Sequence, residues 1–150
     1  MSLDTYDCSI NCCRFALVTV NAISPLYERS FFMAMKIVRF NCCGMDVHKD
    51  LIVATIGITD RKTNITEYFQ RSFSTLNSDL HRLKDWLKSH HCFDVCMEST
   101  GKYWIPIFNI LEDEINVHLT HPKYVKAIKG KKTDKKDSKW ICDLFKHDLI

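Results

Sequence analysis

Two short apolar strands that each end on a carboxylate restrict the possible folds of this chain most. The first runs from Ile37 to Asp46 and the second from Asp94 to Glu98, and a stretch with leucines at helical spacing separates them. Strands joined through a helix lie parallel in one sheet, because such crossovers return the chain to the same sheet with one hand. The sequence therefore predicts an open α/β sheet in which Asp46 and Glu98 meet at the carboxyl edge.

The remaining sequence predicts a mixed five-stranded sheet with helices packed on it. Alternating or β-branched apolar residues indicate strands, and apolar residues spaced by three and four indicate helices. The predicted order is three strands in a meander, a helix, a strand, a helix, a strand and a helix. The further elements are strands over 51–58 and 65–73, a helix over 76–87 that Asn77 or Ser78 would cap, a helix whose first turn holds Pro106, a strand over 115–119, a basic loop over 121–133 and a helix from Asp134.

Two further carboxylates, Asp134 and Asp137, stand on the first turn of the final helix, three residues apart and therefore on one face. If they point to the edge that carries Asp46 and Glu98, four acids crowd together and repel unless cations neutralise them. Hard oxygen ligands favour Mg²⁺ or Mn²⁺. Two such ions activate the attacking oxygen and stabilise the leaving oxygen of a phosphodiester, so the pattern predicts a catalytic metal site formed by these four acids.

Each acid also has a simpler structural explanation. Asp134 could cap the helix, and Asp137 could be a first-turn acid that the helix dipole stabilises. Asp46 could be a turn residue, and Glu98 could lie at a strand end and face water. An apolar methionine precedes each strand-end acid, however, and an uncompensated charge next to a buried position is costly. This observation favours a joint metal site, although the sequence alone leaves both explanations open.

Positive charge is concentrated around the last two acids, although the whole chain carries a formal net charge of only +3. Residues 126–139 hold seven lysines and two aspartates. A phosphate backbone responds to local charge, so this segment is a candidate nucleic-acid contact, with a solvated loop as the alternative. The candidate contact residues are Lys126, Lys129, Lys131, Lys132, Lys135 and Lys136. His48 and His121 are interpreted as hydrogen-bonding neighbours of the acids rather than as ligands.

The eight cysteines favour a reducing, cytosolic environment over a disulfide-rich secreted fold. They occur as adjacent pairs or within apolar runs, and neighbouring side chains of a strand point to opposite faces. We interpret them as buried thiols. A zinc site formed by His90, His91, Cys92 and Cys96 is the weaker alternative, because no second ligand pair accompanies them.

Residues 1–34 are predicted to be an extension without a domain of its own, and residues 35–150 a single domain. The extension carries no repeating pattern, and its apolar run over 15–23 follows an acidic stretch, unlike a secretory signal. No apolar stretch of the chain reaches the length that spans a bilayer, so we expect no membrane partner. With 46% hydrophobic residues, the chain has enough apolar material for one packed α/β core.

Three segments together resemble a known family. They are Cys43-Gly-Met-Asp-Val-His-Lys-Asp50, Met97-Glu-Ser-Thr-Gly-Lys-Tyr-Trp104 and the lysine-rich stretch Val125–Ser138 that contains Asp134 and Asp137. In this order they are similar to the DEDD transposases of the insertion-sequence one-ten family, relatives of the Piv site-specific invertase. The resemblance covers Met35 to Ile150.

The resemblance implies a ribonuclease-H-like (RuvC-like) fold and the catalytic domain of a DNA transposase, with Asp46, Glu98, Asp134 and Asp137 as Mg²⁺ ligands at the strand-exchange site. It also implies DNA and a structured guide RNA as partners, homo-oligomers, and a prokaryotic, nucleoid-associated location in the cytoplasm. Full-length relatives continue into a domain whose serine attacks the scissile phosphate. Because this chain ends at Ile150, we expect a truncated enzyme that is inactive alone.

Two other functions remain open at this point. One is a non-catalytic remnant that binds nucleic acid, and its binding would depend on lysines rather than on the four acids. The other is a self-sufficient, metal-dependent ribonuclease-H-like nuclease, which would cleave a branched or hybrid substrate without a further domain.

Overall fold

A mixed five-stranded sheet with helices on both faces makes up the part of the chain that the computed structural model describes, namely residues 35–98, 101–126 and 134–150. The strands are β1 (Asn41–Val47), β2 (Leu51–Thr59), β3 (Thr66–Ser74), β4 (Asp94–Glu98) and β5 (Asn116–Thr120). The helices are α1 (Asn77–Ser89), α2 (Trp104–Leu111), α3 (Pro122–Lys126) and α4 (Asp134–Lys146). No helix among the described residues has both the length and the apolarity needed to cross a membrane.

The strands are ordered β3-β2-β1-β4-β5 across the sheet. The first three form an antiparallel meander, since β2 pairs antiparallel with both β1 and β3. The other two run parallel to β1, because β4 pairs parallel with β1 and β5 pairs parallel with β4. Both the meander and the helical crossover between the two acid-bearing strands, which were predicted from the sequence, are confirmed.

The two faces of the sheet carry different side chains. One face, here called the α1–α2 face, includes Met45 and Met97 and forms an apolar core with α1 and α2. The opposite face, here called the α4 face, includes Cys42 and Cys96 and packs against α4. Because successive strand residues point to opposite sides, Asp46 shares the α4 face with Cys42, and Glu98 shares it with Cys96.

Gly44 sets the distance between α4 and the sheet. A Cβ atom at this position would overlap the backbone nitrogen of Cys142 and the carbonyl oxygen of Ser138, so only glycine allows this close approach. At the other end of the helix, the carbonyl of Lys146 accepts a hydrogen bond from the amide of Arg39. The helix therefore runs antiparallel to β1, and its first turn lies toward the carboxyl end of that strand.

The predicted cap of α1 was wrong. The N-cap residue is Leu76, whose carbonyl accepts the amides of Asp79 and Leu80, and no side chain caps the helix. Neither Asn77 nor Ser78 has this role. The Asp79 carboxylate instead accepts hydrogen bonds from the amide and the hydroxyl of Ser74, which ties the first turn of the helix to the end of β3.

Two further boundaries differ from the sequence-based expectation. Strand β1 begins at Asn41, because the amide of Arg39 pairs with the carbonyl of Lys146 instead of joining the sheet. The segment predicted as a basic loop begins with the short helix α3. This helix was not predicted, because the lysine-rich composition of the segment indicated a loop. Pro122 suits the first helical position, and Nδ1 of His121 accepts the amide of Lys123 as a cap.

Candidate metal centre

Asp46 and Glu98 are direct neighbours at the carboxyl edge of the sheet. They pair in register between the parallel strands β1 and β4, and adjacent strands lie about 4.8 Å apart. Both point to the α4 face, where they are only 6% and 8% exposed. The structure therefore brings together the two strand-end acids that the sequence predicted to meet.

This pair is a suitable donor set for a hard cation. Two carboxylates that are buried side by side repel each other when ionised, and the repulsion grows as water is excluded. A divalent ion with a preference for oxygen ligands would neutralise both, which fits Mg²⁺ or Mn²⁺. Within the described part of the chain, no group of three or more His, Cys, Asp or Glu residues comes together as a metal site. What the structure shows of the four predicted ligands is that Asp46 and Glu98 are neighbours.

His48 lies two residues beyond Asp46 and contacts it directly. Its Nε2 atom is 3.0 Å from Oδ2 of Asp46, and its side chain is 48% exposed, whereas that of the aspartate is 8% exposed. The contact confirms that His48 is a hydrogen-bonding neighbour of Asp46, and that it is not a metal ligand stays a prediction. His121, by contrast, uses Nδ1 to accept the amide of Lys123.

The other predicted site residues are described only in part. Asp137 is half-buried on the first turn of α4 and immediately precedes the fully buried Ser138. The side chains of Asp134, Lys126, Lys135 and Lys136, and the whole of Lys129, Lys131 and Lys132, lie outside the described residues. The convergence of all four acids and the nucleic-acid contact of the lysines therefore stay predictions.

A hydroxyl–amide network, formed by Thr55, Gln70 and Ser138, joins the first half of α4 to the sheet. The hydroxyl oxygens of Thr55 and Ser138 are 2.8 Å apart. Nε2 of Gln70 donates to both, at 2.8 Å and 3.1 Å. The two strand residues share one transverse row of the sheet with Gly44. Sequence reasoning missed this network, and a glycine inside a strand was the available signal of close backbone approach.

An ion-pair cluster, formed by Tyr68, Asp143 and Lys146, joins the last half of α4 to the sheet. The tyrosine hydroxyl donates to Oδ1 of Asp143 at 2.5 Å, and Nζ of Lys146 lies 3.3 Å from the same oxygen. The two charged residues are 9% and 6% exposed. Burial, and then the neighbouring negative charge of Asp143, raises the pKa of Tyr68, so the phenol keeps its proton and acts as a donor.

The five described cysteines are free and buried, as the sequence predicted for packed thiols. Burial raises the pKa of Cys43, and hydrogen bonding with Cys42 together with burial raises that of Cys142, which keeps both in the thiol form. The zinc alternative is not supported by the positions of two of its residues. Cys92 belongs to the core on the α1–α2 face, whereas Cys96 belongs to the core on the α4 face.

The order and direction of the strands define a ribonuclease-H-like (RuvC-like) fold. The sequence model of the family described as Transposase, the DEDD transposases of IS110 elements, matches residues 43–149. The chain belongs to this transposase family and therefore carries a DNA recombination domain. No curated protein matches it.

Two solved structures illustrate the structural similarity. The Fowlpox virus resolvase in complex with substrate Holliday junction DNA is 16% identical with a TM-score of 0.43, and the match covers 70% of this chain and 72% of that chain. The T. thermophilus RuvC in complex with Holliday junction substrate is 8% identical with a TM-score of 0.47, and the match covers 73% of this chain and 93% of that chain.

Proposed function

We propose that Asp46, Glu98, Asp134 and Asp137 hold Mg²⁺ or Mn²⁺ and that this site assists phosphodiester strand exchange in a DNA transposase. The observation that carries the proposal is the buried, in-register pair of Asp46 and Glu98 on the α4 face. Two adjacent carboxylates with oxygen atoms only are the kind of donor set that binds a divalent cation such as Mg²⁺ or Mn²⁺. Membership of the transposase family supplies the reaction class.

The direction of α4 supports the participation of its two acids. The backbone of Ser138 meets Gly44, and Asp134 precedes Ser138 by four residues, which is about 6 Å along a helix. Asp46 follows Gly44 by two residues, which is about 6.6 Å along a strand in the same direction. The helix start and the Asp46 row are therefore at the same level of the sheet, and positions 134 and 138 share a helix face.

Asp46, Glu98 and His48 each have a defined role in the proposed site. Asp46 and Glu98 hold the ion from the rigid ends of two hydrogen-bonded strands, and His48 orients the Asp46 carboxylate through its 3.0 Å contact. The positive end of the α4 dipole further stabilises negative charge at this edge. When bound, a divalent ion supplies activation of the attacking oxygen and charge stabilisation at the phosphodiester.

The basic segment supplies the nucleic-acid contact of the proposed enzyme. Six of its seven lysines are close to Asp134 and Asp137 in the sequence, and we propose that they bind the phosphate backbone. They are Lys126, Lys129, Lys131, Lys132, Lys135 and Lys136. We propose DNA as the substrate, a structured guide RNA as a second ligand, and a homo-oligomer as the working assembly.

Calorimetric titration of the full chain with MnCl₂ tests the metal site. We expect one or two binding events in the unmodified protein, and a loss of affinity of tenfold or more in both Asp46→Asn and Glu98→Gln. Asp60→Asn is the matched control, because this carboxylate lies in the β2–β3 turn at the opposite edge of the sheet. No binding in the unmodified chain, or equal affinity in all four proteins, would remove the proposal.

Incubation of the same proteins with branched DNA and with an RNA–DNA hybrid separates the functional classes. Metal-dependent cleavage by the chain itself, lost in Asp46→Asn, would identify a self-sufficient nuclease. Salt-dependent binding that persists in Asp46→Asn and Glu98→Gln but weakens in a Lys129/Lys131/Lys132 to alanine variant would identify a binding module without catalysis.

A further inference from the structure

The hydroxyl–amide network forms a polar contact between α4 and the sheet, at a place where an apolar contact would stabilise the fold equally. Thr55 is 1% exposed and Ser138 is fully buried, whereas Gln70 reaches them from the exposed side of β3. Buried polar groups are costly unless they are satisfied, so such networks add little net stability compared with packed hydrocarbon. What they add is directional, because each hydrogen bond fixes an angle as well as a distance.

The network lies close to the acids, so the hydrogen-bond angles that it fixes can affect how the acids are oriented. Thr55 pairs with Gly44, two residues before Asp46 and on the same face of the sheet. Ser138 directly follows Asp137 in α4. Any rotation of the helix about its axis would therefore break the hydroxyl contacts and change the direction in which position 137 points.

We infer that Thr55, Gln70 and Ser138 are positioning residues that hold the first turn of α4, and with it Asp137 and Asp134, at the level of Asp46 and Glu98. This inference rests on the proposed metal site. None of the three residues is assigned to bind the ion, and their effect is transmitted through the orientation of the helix. Gly44 sets the helix-to-sheet distance, and the network sets the rotation.

The ion-pair cluster provides an internal control on the same helix. Tyr68→Phe removes one hydrogen bond between α4 and the sheet, as does the removal of the Thr55 hydroxyl. The tyrosine contacts Asp143, however, which follows Ser138 by five residues, toward the end of the helix that lies away from the acids. A merely structural role of Thr55 would give the two substitutions the same effect on metal affinity.

The experiment compares Thr55→Val, Thr55→Ser and Tyr68→Phe by MnCl₂ calorimetry on the full chain. Valine keeps the shape of threonine but loses the hydroxyl, whereas serine keeps the hydroxyl. We expect Thr55→Val to weaken Mn²⁺ binding about tenfold, as the loss of an outer-shell partner does at metal sites. Thr55→Ser and Tyr68→Phe should stay within about twofold of the unmodified chain.

Circular dichroism on the same samples shows whether each variant folds. If Thr55→Val does not fold, Gln70→Met replaces it, because this exposed position tolerates substitution and the change removes the amide donor. Unchanged affinity in the hydroxyl-free or amide-free variant, or an equal loss in Thr55→Ser or Tyr68→Phe, overturns the inference and leaves the metal site standing. An unmodified chain that binds no Mn²⁺ overturns both.

Discussion

The two faces of the sheet hold their helices by different combinations of contacts. On the α1–α2 face, the buried residues between sheet and helices are apolar, among them Leu83, Met45 and Met97. The α4 face also has an apolar core, which includes Ile141 and Phe145, but there it is joined by a backbone contact at Gly44, by the hydroxyl–amide network and by the ion-pair cluster. The core on the α1–α2 face stabilises the fold through the apolar surface area that it buries, and this effect does not depend on the direction of each contact.

The difference indicates where precision is required. Directional contacts cost more to satisfy than hydrocarbon packing, and they are concentrated on the face that also carries Asp46 and Glu98. We therefore expect substitutions on the two faces to differ less in their effect on stability than in their effect on metal binding. The following changes test that expectation, in order of decreasing effect on stability.

Gly44→Ala should be the most damaging change on the α4 face. The new Cβ atom would overlap three backbone atoms of α4, which cannot rotate away, so the helix must move off the sheet. We expect a loss of more than about 3 kcal/mol in urea unfolding, together with a loss of Mn²⁺ binding. Gly57→Ala is the matched control, because its Cβ would meet the Cys142 Sγ atom at 2.9 Å, a side chain that is able to shift. Equal stability of the two variants would contradict the role of the close approach.

Leu83→Ala should damage the α1–α2 face without affecting the metal site. This side chain is fully buried in the apolar core, so its truncation should cost about 3 kcal/mol in the same urea unfolding assay. Mn²⁺ affinity, measured at a temperature where the variant is folded, should remain within about twofold of the unmodified chain. A tenfold loss of affinity would show that the two faces are not independent.

Tyr68→Phe should have a smaller effect on the α4 face. It removes the donor to Asp143 but leaves that carboxylate paired with Lys146. We expect a decrease of about 1.5 kcal/mol in the free energy of unfolding, the value typical of a hydrogen bond to a charged group. Tyr103→Phe, at a residue that is 46% exposed, should leave the free energy unchanged. A Tyr68→Phe protein as stable as this control would show that the cluster contributes only through packing.

The pH dependence at Glu114 should be the smallest effect. Hydrogen bonds from Lys88 and Lys84 lower the pKa of this exposed carboxyl to about 2 from an ordinary value of 4.5. Because the folded pKa is depressed, the stabilisation is present above the ordinary value and is lost as the pH falls from there through about 2. The urea midpoint of the unmodified chain should therefore decrease more between these limits than that of Glu114→Gln. Parallel curves would show that the contacts are screened by solvent.

The sequence predicted the three-stranded meander and the Asp46–Glu98 pair because both follow from local patterns. Each acid ends an apolar strand, and a helical crossover requires those two strands to be parallel. Thr55, Gln70 and Ser138 carry no such local pattern, since a threonine or glutamine in an alternating strand resembles an ordinary solvent-facing residue. Only the register of β1, β2 and β3 brings Thr55 and Gln70 under α4, where they meet Ser138. The predicted cap of α1 was wrong for a similar reason. The Ser74–Asp79 contact depends on where β3 ends, which a local sequence pattern does not reveal.

A crystal structure of the full chain, from crystals grown with Mn²⁺, is the most direct test that Asp46 and Glu98 bind a divalent ion, because anomalous scattering locates the ion itself. We expect an anomalous peak about 2.1 Å from a carboxylate oxygen of Asp46 and from one of Glu98, with the first turn of α4 facing it. A peak bound by other residues, or an Asp46–Glu98 pair without a peak at saturating Mn²⁺, would contradict it.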